Sequence, residues 1–380
     1  MNAAAVKRNY ALDWLRVFAM FTVFLFHCAR FFDKQDWHVK NPQPDTILTF
    51  IVLFLAQWIM PLFFILSGIS SYYSLRFRKA GAYINGRFKR LMIPLIFGIF
   101  VLIPPQVYLE RVSHFQFKGS FIQFFPHYFD GFYAFGGNFA WMGLHLWYLL
   151  MLFVFSVLTL PFFIFIQRKP TPALISRFIF FLERKGTLFL LALPLAAVEL
   201  ILNPATIGRR DFGGWSSFLY IIFFIYGYVV LSHYQLQGIA KKQRKIALAG
   251  GLITTTTALV ILISKGFPEY GTAYFLLMTT VRAFNSWFWL LAVIGFGLHY
   301  ANFNNKFLAY SNEAVLPFYI LHQTIIVTIC FYLIGWQINV GIKYVVIAST
   351  SMMAILLLYE VFVRRINLMR FLFGLKPKIQ

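Results

Sequence analysis

The chain has 380 residues, of which 60% are hydrophobic and only 12% carry a charge, and Phe alone occupies 48 positions. No soluble domain needs so much apolar surface, so this composition excludes a soluble protein and indicates one that crosses a membrane repeatedly. The net charge of +22 does not indicate a nucleic-acid partner, because the basic residues occur in short blocks between apolar runs and form no continuous stripe.

Ten apolar stretches are long enough to cross a bilayer, and they predict an all-α, polytopic integral membrane protein with about ten transmembrane helices and no soluble domain. They lie near residues 12–32, 46–69, 91–110, 144–166, 187–203, 215–232, 246–264, 272–298, 314–335 and 342–362. Basic residues are divided unequally between the two sets of connections, with 23 in one set and 8 in the other. Since basic connections stay in the cytoplasm, we expect both termini there, including the basic tail at 364–380.

The first apolar stretch contains Arg16 and His27, eleven residues apart. At 100° per residue the two side chains differ by only about 20°, so they share one face of a helix, about 16 Å apart along its axis. An arginine inside a bilayer costs ~2.5–3.5 kcal/mol, so this face should look into a protein cavity. The alternative is that Arg16, one turn inside the cytoplasmic end, extends to the interface.

Two short motifs flank the cytoplasmic connection after the second stretch. PLFFILSG places Ser67 and Gly68 at the end of that stretch, where glycine allows a backbone or a ligand to approach closely. GRFKRL places Arg87 and Arg90 three residues apart, on one face of a helix, and two guanidinium groups at that spacing suit a phosphate. The alternative is that these arginines only mark the cytoplasmic side.

The longest segment between apolar stretches, about 111–143, is rich in aromatic residues. It is predicted to lie in the outer membrane interface, where aromatic rings are favoured. Alternatively, it forms a lid over an outward-facing site, with Tyr or Trp rings that stack on sugar.

Besides Arg16, we single out four of the ionisable residues within the apolar stretches, since such residues are rare in a membrane and often functional. His27, His145 and His322 are candidates for a general base, because a neutral imidazole can take a proton from an attacking hydroxyl. Each of them is alternatively a core histidine bonded to a carbonyl. Arg282 lies in the middle of its stretch and needs a carboxylate, a cluster of carbonyls or a ligand anion.

Five separated pieces of the chain, taken together in their order and spacing, resemble the integral membrane acyltransferase family 3. They are RVFAMFTVFLFH, PLFFILSG, GRFKRL, HLWYL and PFYILH. That family includes O-acetyltransferases of bacterial surface polysaccharides, and the compact size here is closer to its glucan-modifying branch. The resemblance covers roughly residues 10–335, and we expect residues 1–380 to form a single membrane-embedded domain.

The resemblance implies an acyl-CoA donor that enters from the cytoplasm, an acceptor hydroxyl on or near the outer face, and no tightly bound cofactor. Arg16 and His27 match the family's essential Arg and His, and Arg87 and Arg90 match its R-x-x-R. Trp147 and Tyr148 match the aromatic motif of the fourth stretch. An acidic residue often follows that motif, but VFSVL contains none, so the partner of His27 is not identified.

We therefore predict an inner-membrane O-acyltransferase that moves an acetyl- or succinyl-class group from cytoplasmic acyl-CoA to a hydroxyl of an envelope glycan or related acceptor. Its partners are membrane lipid, acyl-CoA and the carbohydrate. His27 and Arg16 are the predicted catalytic residues, and His27 either deprotonates the acceptor or carries the acyl group covalently. The other predicted site residues bind the acyl donor (Arg87, Arg90, Ser67 and Gly68) or contact and support the substrates (His145, Trp147, Tyr148, Arg282, Tyr319 and His322).

The alternative function is a transporter or proton-coupled permease that uses Arg16, His27 and Arg282 as an ion path. A lipid-handling or structural membrane protein would explain the topology but not the shared face of Arg16 and His27. The two cysteines, Cys28 and Cys330, show no metal-site spacing, so we expect no metal.

Overall fold

The computed structural model describes residues 9–167, 173–202 and 213–378. Helices make up 77% of the structure, and the described residues contain no strand beyond one isolated bridge between Phe132 and Phe139. The prediction of an all-α polytopic membrane protein is confirmed. Backbone groups inside a bilayer must be hydrogen-bonded within the protein, and an α-helix achieves this within its own segment.

Seventeen α-helices follow one another along the described residues. They are α1 (Tyr10–Arg30), α2 (Thr46–Ala56), α3 (Ile59–Phe77), α4 (Ala80–Arg87), α5 (Ile93–Phe97), α6 (Ile103–Ser113), α7 (Phe121–His127), α8 (Trp147–Leu158), α9 (Leu160–Ile166), α10 (Ala173–Leu182), α11 (Ala192–Ile201), α12 (Ser217–Val229), α13 (Tyr234–Lys265), α14 (Ala273–Tyr300), α15 (Lys306–Leu333), α16 (Val340–Leu358) and α17 (Asn367–Leu372).

Seven helical segments of the described chain are long and apolar enough to span a bilayer, and the broken pair α8–α9 raises the number to eight. The predicted fifth and sixth spans correspond to shorter apolar helices, Thr187–Ile201 and Ser217–Val229. A helix of 13 residues is only about 20 Å long, whereas the hydrocarbon core is about 30 Å thick. The count of ten therefore stays a prediction, although each predicted span coincides with an apolar helix.

The predicted orientation of the chain also stays a prediction. Some of the basic residues on which this prediction depends lie outside the described ranges, namely Lys7, Arg8, Arg168, Lys169, Arg209 and Arg210. Four others occupy the first turns of α13 rather than a loop: Lys241, Lys242, Arg244 and Lys245.

The described chain divides into two compact units. The first unit combines the start of α1, up to Ala19, with residues 56–80 and Leu158–Asn312. The second unit combines Met20–Leu55, Gly81–Val157 and Glu313–Gln380. Helix α1 thus contributes Arg16 to the first unit and His27 to the second.

Two glycines bring α3 and α12 into backbone contact within the first unit. A Cβ atom on Gly68 would lie 2.1 Å from the carbonyl oxygen of Phe224, and one on Gly227 would lie 2.1 Å from that of Ile65. Such close approach is typical of helix pairs in membranes. There the hydrophobic effect does not drive helices together, and small residues allow the close van der Waals packing that does.

The third predicted span is a composite helix of the second unit. Two π-helical turns, Phe88–Met92 and Gly98–Leu102, interrupt it. Pro94 and Pro104 lie in the first turns of α5 and α6 that follow, where a missing N–H costs least. Turns of this kind occur often at functional sites, and the first of them contains Arg90.

The aromatic segment 111–143 contains a short 3₁₀ turn, Tyr133–Phe135, and the short helix α7, which begins with a capping box between Ser120 and Gln123. Tyr128 is fully buried, and its hydroxyl donates to the carbonyl oxygen of Ile99 at 2.9 Å. Arg111, in the last turn of α6, donates to the Asn138 side chain at 2.8 Å and so holds the far end of the segment against that helix. The segment is therefore anchored to the second unit by polar contacts as well as by its rings.

Candidate functional site

The three predicted intramembrane histidines lie together in the second unit and form what we call the three-histidine cluster. The ring of His322, on α15, has its centroid 4.8 Å from that of His27, on α1, and 5.1 Å from that of His145, which precedes α8. His322 and His145 are buried, whereas His27 is partly exposed. Of the three, His27 is therefore the most exposed histidine.

The hydrogen bonds of the cluster determine which nitrogen of His27 carries the proton. Nδ1 of His322 lies 2.6 Å from the carbonyl oxygen of Tyr319, so it must donate, and in the neutral ring Nε2 is bare. That bare nitrogen lies 3.2 Å from Nδ1 of His27, which also lies 2.9 Å from the carbonyl oxygen of Val23. Nδ1 of His27 is therefore the protonated nitrogen, and Nε2 is left with a free lone pair.

The two ring nitrogens of His145 differ in their hydrogen bonding. Its Nε2 donates to the carbonyl oxygen of Ile320 at 3.2 Å, and its Nδ1 is buried and has no hydrogen-bond partner among the described residues. The hydroxyl of Tyr319 donates to the carbonyl oxygen of His145, and the Tyr319 ring lies 5.9 Å from that of Tyr148. Four residues predicted to contact or support the substrates thus lie in one cluster, and Trp147 is buried beside Tyr148 in the chain.

Arg16 lies in the first unit and has partners on its own helix and on α3. Its guanidinium donates to the Asp13 carboxylate at 2.6 Å and to the Ser70 hydroxyl at 2.7 Å. Asp13 was detectable from the sequence, because residues three apart are neighbours on a helix. Ser70, one turn beyond the predicted Ser67, was not.

Gly68 lies in the contact between α3 and α12 described above. Its missing side chain is explained by the approach of a helix backbone, which is one of the two roles that the sequence left open. The prediction that Ser67 and Gly68 bind the acyl donor has no further support from this geometry.

Arg87 and Arg90 lie in the second unit at a change of helix type. Arg87 ends α4 with its guanidinium 5.3 Å from the centroid of the Tyr83 ring, and Arg90 is exposed in the π-helical turn that follows. The regular repeat that places residues three apart on one face is interrupted there. Their binding of a phosphate stays a prediction.

Arg282, in the first unit, has the carboxylate that its depth requires. Its guanidinium lies 3.4 Å from the Glu199 carboxylate and donates to the Gln57 side chain at 3.0 Å and to the carbonyl oxygen of Gly214. The guanidinium also lies 4.0 Å from the centroid of the Trp215 ring. Glu199 is 83 residues away in the chain, so no local pattern pointed to it.

The sequence analysis missed an imidazole–carboxylate group of the second unit. His38 is hydrogen-bonded to Glu110, and the Tyr133 hydroxyl donates to the same carboxylate at 2.9 and 2.8 Å. Burial, followed by the Glu110 charge, raises the pKa of Tyr133 above its ordinary value, so this phenol keeps its proton and donates. No group of three or more candidate metal ligands occurs in the part of the chain that the structure describes.

The amino-acid sequence was compared with those of known proteins, and it matches a known family. A family model described as an acyltransferase domain matches residues 9–361. Three relatives named glucans biosynthesis protein C, from Salmonella agona (strain SL483), Salmonella paratyphi A (strain ATCC 9150 / SARB42) and Salmonella enteritidis PT4 (strain P125109), are each 25% identical to this chain. Each alignment covers 100% of this chain and 98% of the relative. No solved structure matches.

Proposed function

The chain belongs to acyltransferase family 3 and is a membrane acyltransferase, and we propose that it transfers an acyl group from cytoplasmic acyl-CoA to a hydroxyl of an envelope glycan. The observation that carries the proposal is the bare Nε2 of the partly exposed His27, which His322 fixes from the other side of the ring. A lone pair held in place is what a general base needs.

In the proposed reaction, Nε2 of His27 takes the proton of the acceptor hydroxyl as its oxygen attacks the thioester carbonyl carbon. The new C–O bond forms, the C–S bond breaks, and the imidazolium returns the proton to the leaving thiolate of CoA. The proton that His27 already carries on Nδ1 stays between Val23 and His322 throughout. No other reactant is consumed, and the imidazole ends in its starting form.

The acyl donor is proposed to bind through Arg87 and Arg90, whose guanidinium groups suit the phosphates of CoA. Arg90 is exposed, which leaves it accessible to such a ligand. Arg16 is proposed as the second catalytic residue. It lies at the cytoplasmic end of the α1 face, where Asp13 and Ser70 fix its guanidinium.

The glycan acceptor is supported by the relatives, whose printed name refers to glucan biosynthesis. An acetyl or succinyl group is the proposed cargo, and the proposed location is the inner membrane with both termini in the cytoplasm. The ion-path alternative has less support, because Arg282 is occupied by Glu199, Gln57 and Gly214.

The proposal is tested with the purified full chain in nanodiscs, supplied with acetyl-CoA or succinyl-CoA and a glucan oligosaccharide. Release of free thiol and the mass of the oligosaccharide are followed together, for the native chain and for His27→Gln. We expect thiol release that requires the oligosaccharide and a matching gain of one acyl mass, both absent in the variant. Thiol release without acylated oligosaccharide, or none with either donor, would refute the proposed reaction.

A further inference from the structure

His38 lies in the second unit, within a hydrogen-bond network whose directions can be assigned one bond at a time. The Thr324 hydroxyl donates to the carbonyl oxygen of Leu102 at 3.1 Å, so it accepts from the side-chain amide nitrogen of Gln106, 2.7 Å away. The amide oxygen of Gln106 then faces Gln323, whose amide nitrogen donates to it at 3.1 Å.

The same network fixes the tautomer of His38. The amide nitrogen of Gln323 also lies 3.0 Å from Nε2 of His38, and because an amide nitrogen only donates, Nε2 carries no proton. The proton lies on Nδ1 and is donated to Glu110. Glu110 is buried, and it is held in turn by the Tyr133 hydroxyl and by Arg111 at 3.3 Å.

Gln323 directly follows His322, so one turn of α15 serves two imidazoles. His322 offers its lone pair to His27, and Gln323 offers its N–H to His38. The contact between His322 and His27 is 3.2 Å, the long end of a normal hydrogen bond, and His27 shares the same proton with Val23. A small shift of this turn would break it.

We propose that Glu110 and His38 are positioning residues for His27. Glu110 keeps His38 in the tautomer that accepts from Gln323, and this bond holds the turn of α15 that presents His322 to His27. His38 takes no proton in the reaction and acts only through this turn. The proposal deepens the proposed function and rests on the role of His27 as base.

Two substitutions of His38 separate its two bonds. His38→Gln keeps a hydrogen-bond acceptor near the position of Nε2, for Gln323, whereas His38→Asn keeps a donor near the position of Nδ1, for Glu110. We expect kcat to fall by up to about 10²-fold in His38→Asn with both KM values unchanged, since a misplaced catalytic group costs rate rather than affinity. His38→Gln should stay close to the native chain. Equal losses in both variants would make His38 a proton carrier, and no loss in either would make it merely structural; each result overturns the proposal.

A measurement without substrate separates this proposal from the proposed function. In nanodiscs, ¹⁵N-histidine labelling distinguishes protonated from bare ring nitrogens, and the His27 signals are identified by their absence in His27→Gln. We expect one proton position in the native chain and in His38→Gln, and a mixture of both tautomers in His38→Asn. An unchanged His27 pattern in His38→Asn would overturn the positioning role even if the protein transferred no acyl group.

The matched control is His127, an exposed histidine whose Nδ1 lies 2.8 Å from the Asp130 carboxylate in the aromatic segment. His127→Asn should change neither kcat nor the His27 pattern. If His38→Asn fails to fold, Gln323→Met removes the same bond from the other side and should give the same loss of kcat. An unchanged kcat in a folded Gln323→Met variant would contradict the proposal.

Discussion

Nε2 of His322 lies 3.2 Å from Nδ1 of His27, although 295 positions separate the two residues in the chain. This contact answers the question that the sequence left open about the partner of His27. The partner is a second imidazole rather than a carboxylate, and the Tyr319 carbonyl fixes its direction. A neutral partner holds the ring without adding a charge to a membrane-embedded site, where a lone carboxylate would be costly.

The first prediction concerns His27→Gln. The amide keeps hydrogen-bonding groups but cannot take a proton, so the rate of acyl transfer should fall by ~10²–10⁴ while acyl-CoA still binds. The measurement is steady-state transfer in nanodiscs together with acyl-CoA affinity. The matched control is His127→Gln in the exposed pair with Asp130, which should transfer normally. Transfer by His27→Gln near the native rate would leave His27 as a packing residue.

The part of this site that could be predicted from sequence is the part that helical periodicity encodes. Arg16 and His27 lie on one continuous helix, as their spacing required, and Asp13 follows from the same repeat. The presence of His145 and His322 in apolar stretches was equally visible. Their meeting was not, because they are 177 positions apart in the chain and periodicity does not indicate which helices pack together.

The residues that sequence analysis missed share one property: their partners are distant in the chain. His38 and Glu110 are 72 positions apart, and Glu199 and Arg282 are 83 apart. Glu199 also lies inside a predicted span, where the neighbouring sequence does not indicate a partner for its carboxylate. The short helices Thr187–Ile201 and Ser217–Val229 coincide with the predicted fifth and sixth spans, and their crossing of the bilayer stays a prediction, because hydropathy reports apolar length but not where a helix ends.

The second prediction concerns the acyl donor. If Arg87 binds a CoA phosphate, Arg87→Ala should weaken acyl-CoA binding by ~1.5–3 kcal/mol, the range of a charge-assisted hydrogen bond, and leave glycan affinity unchanged. Calorimetric titration with a non-transferable acyl-CoA analogue measures it. Lys89→Ala is the control, because Lys89 is an exposed cation in the adjoining π-helical turn. Equal effects of the two substitutions would point to general attraction by the basic connection instead of a phosphate site.

The third prediction concerns the ion pair of Arg282 and Glu199, in which the carboxylate is buried and the guanidinium is partly exposed. Glu199→Gln leaves the guanidinium without its carboxylate and should lower the free energy of unfolding by about 3–5 kcal/mol. The double variant Arg282→Met, Glu199→Leu should recover much of that lost stability. Thermal unfolding in detergent measures both variants. Acyl transfer by the double variant, assayed below its Tm, should remain. A stable Glu199→Gln variant that transfers no acyl group would instead give this pair a direct role in the reaction.

The fourth prediction concerns Gly68→Ala in the contact between α3 and α12. The added Cβ would lie 2.1 Å from the carbonyl oxygen of Phe224 and 2.8 Å from the backbone nitrogen of Tyr228. Backbone atoms cannot turn aside as a side-chain tip can, so the two helices must separate, at a cost of ~1–3 kcal/mol. Gly81→Ala is the matched control, because nothing lies within 4 Å of the Cβ position in α4. We expect a lower Tm only for Gly68→Ala, with acyl-CoA affinity unchanged in the folded fraction. If Gly68→Ala kept its Tm but bound acyl-CoA more weakly, Gly68 would belong to the acyl-donor site, as predicted from the PLFFILSG motif.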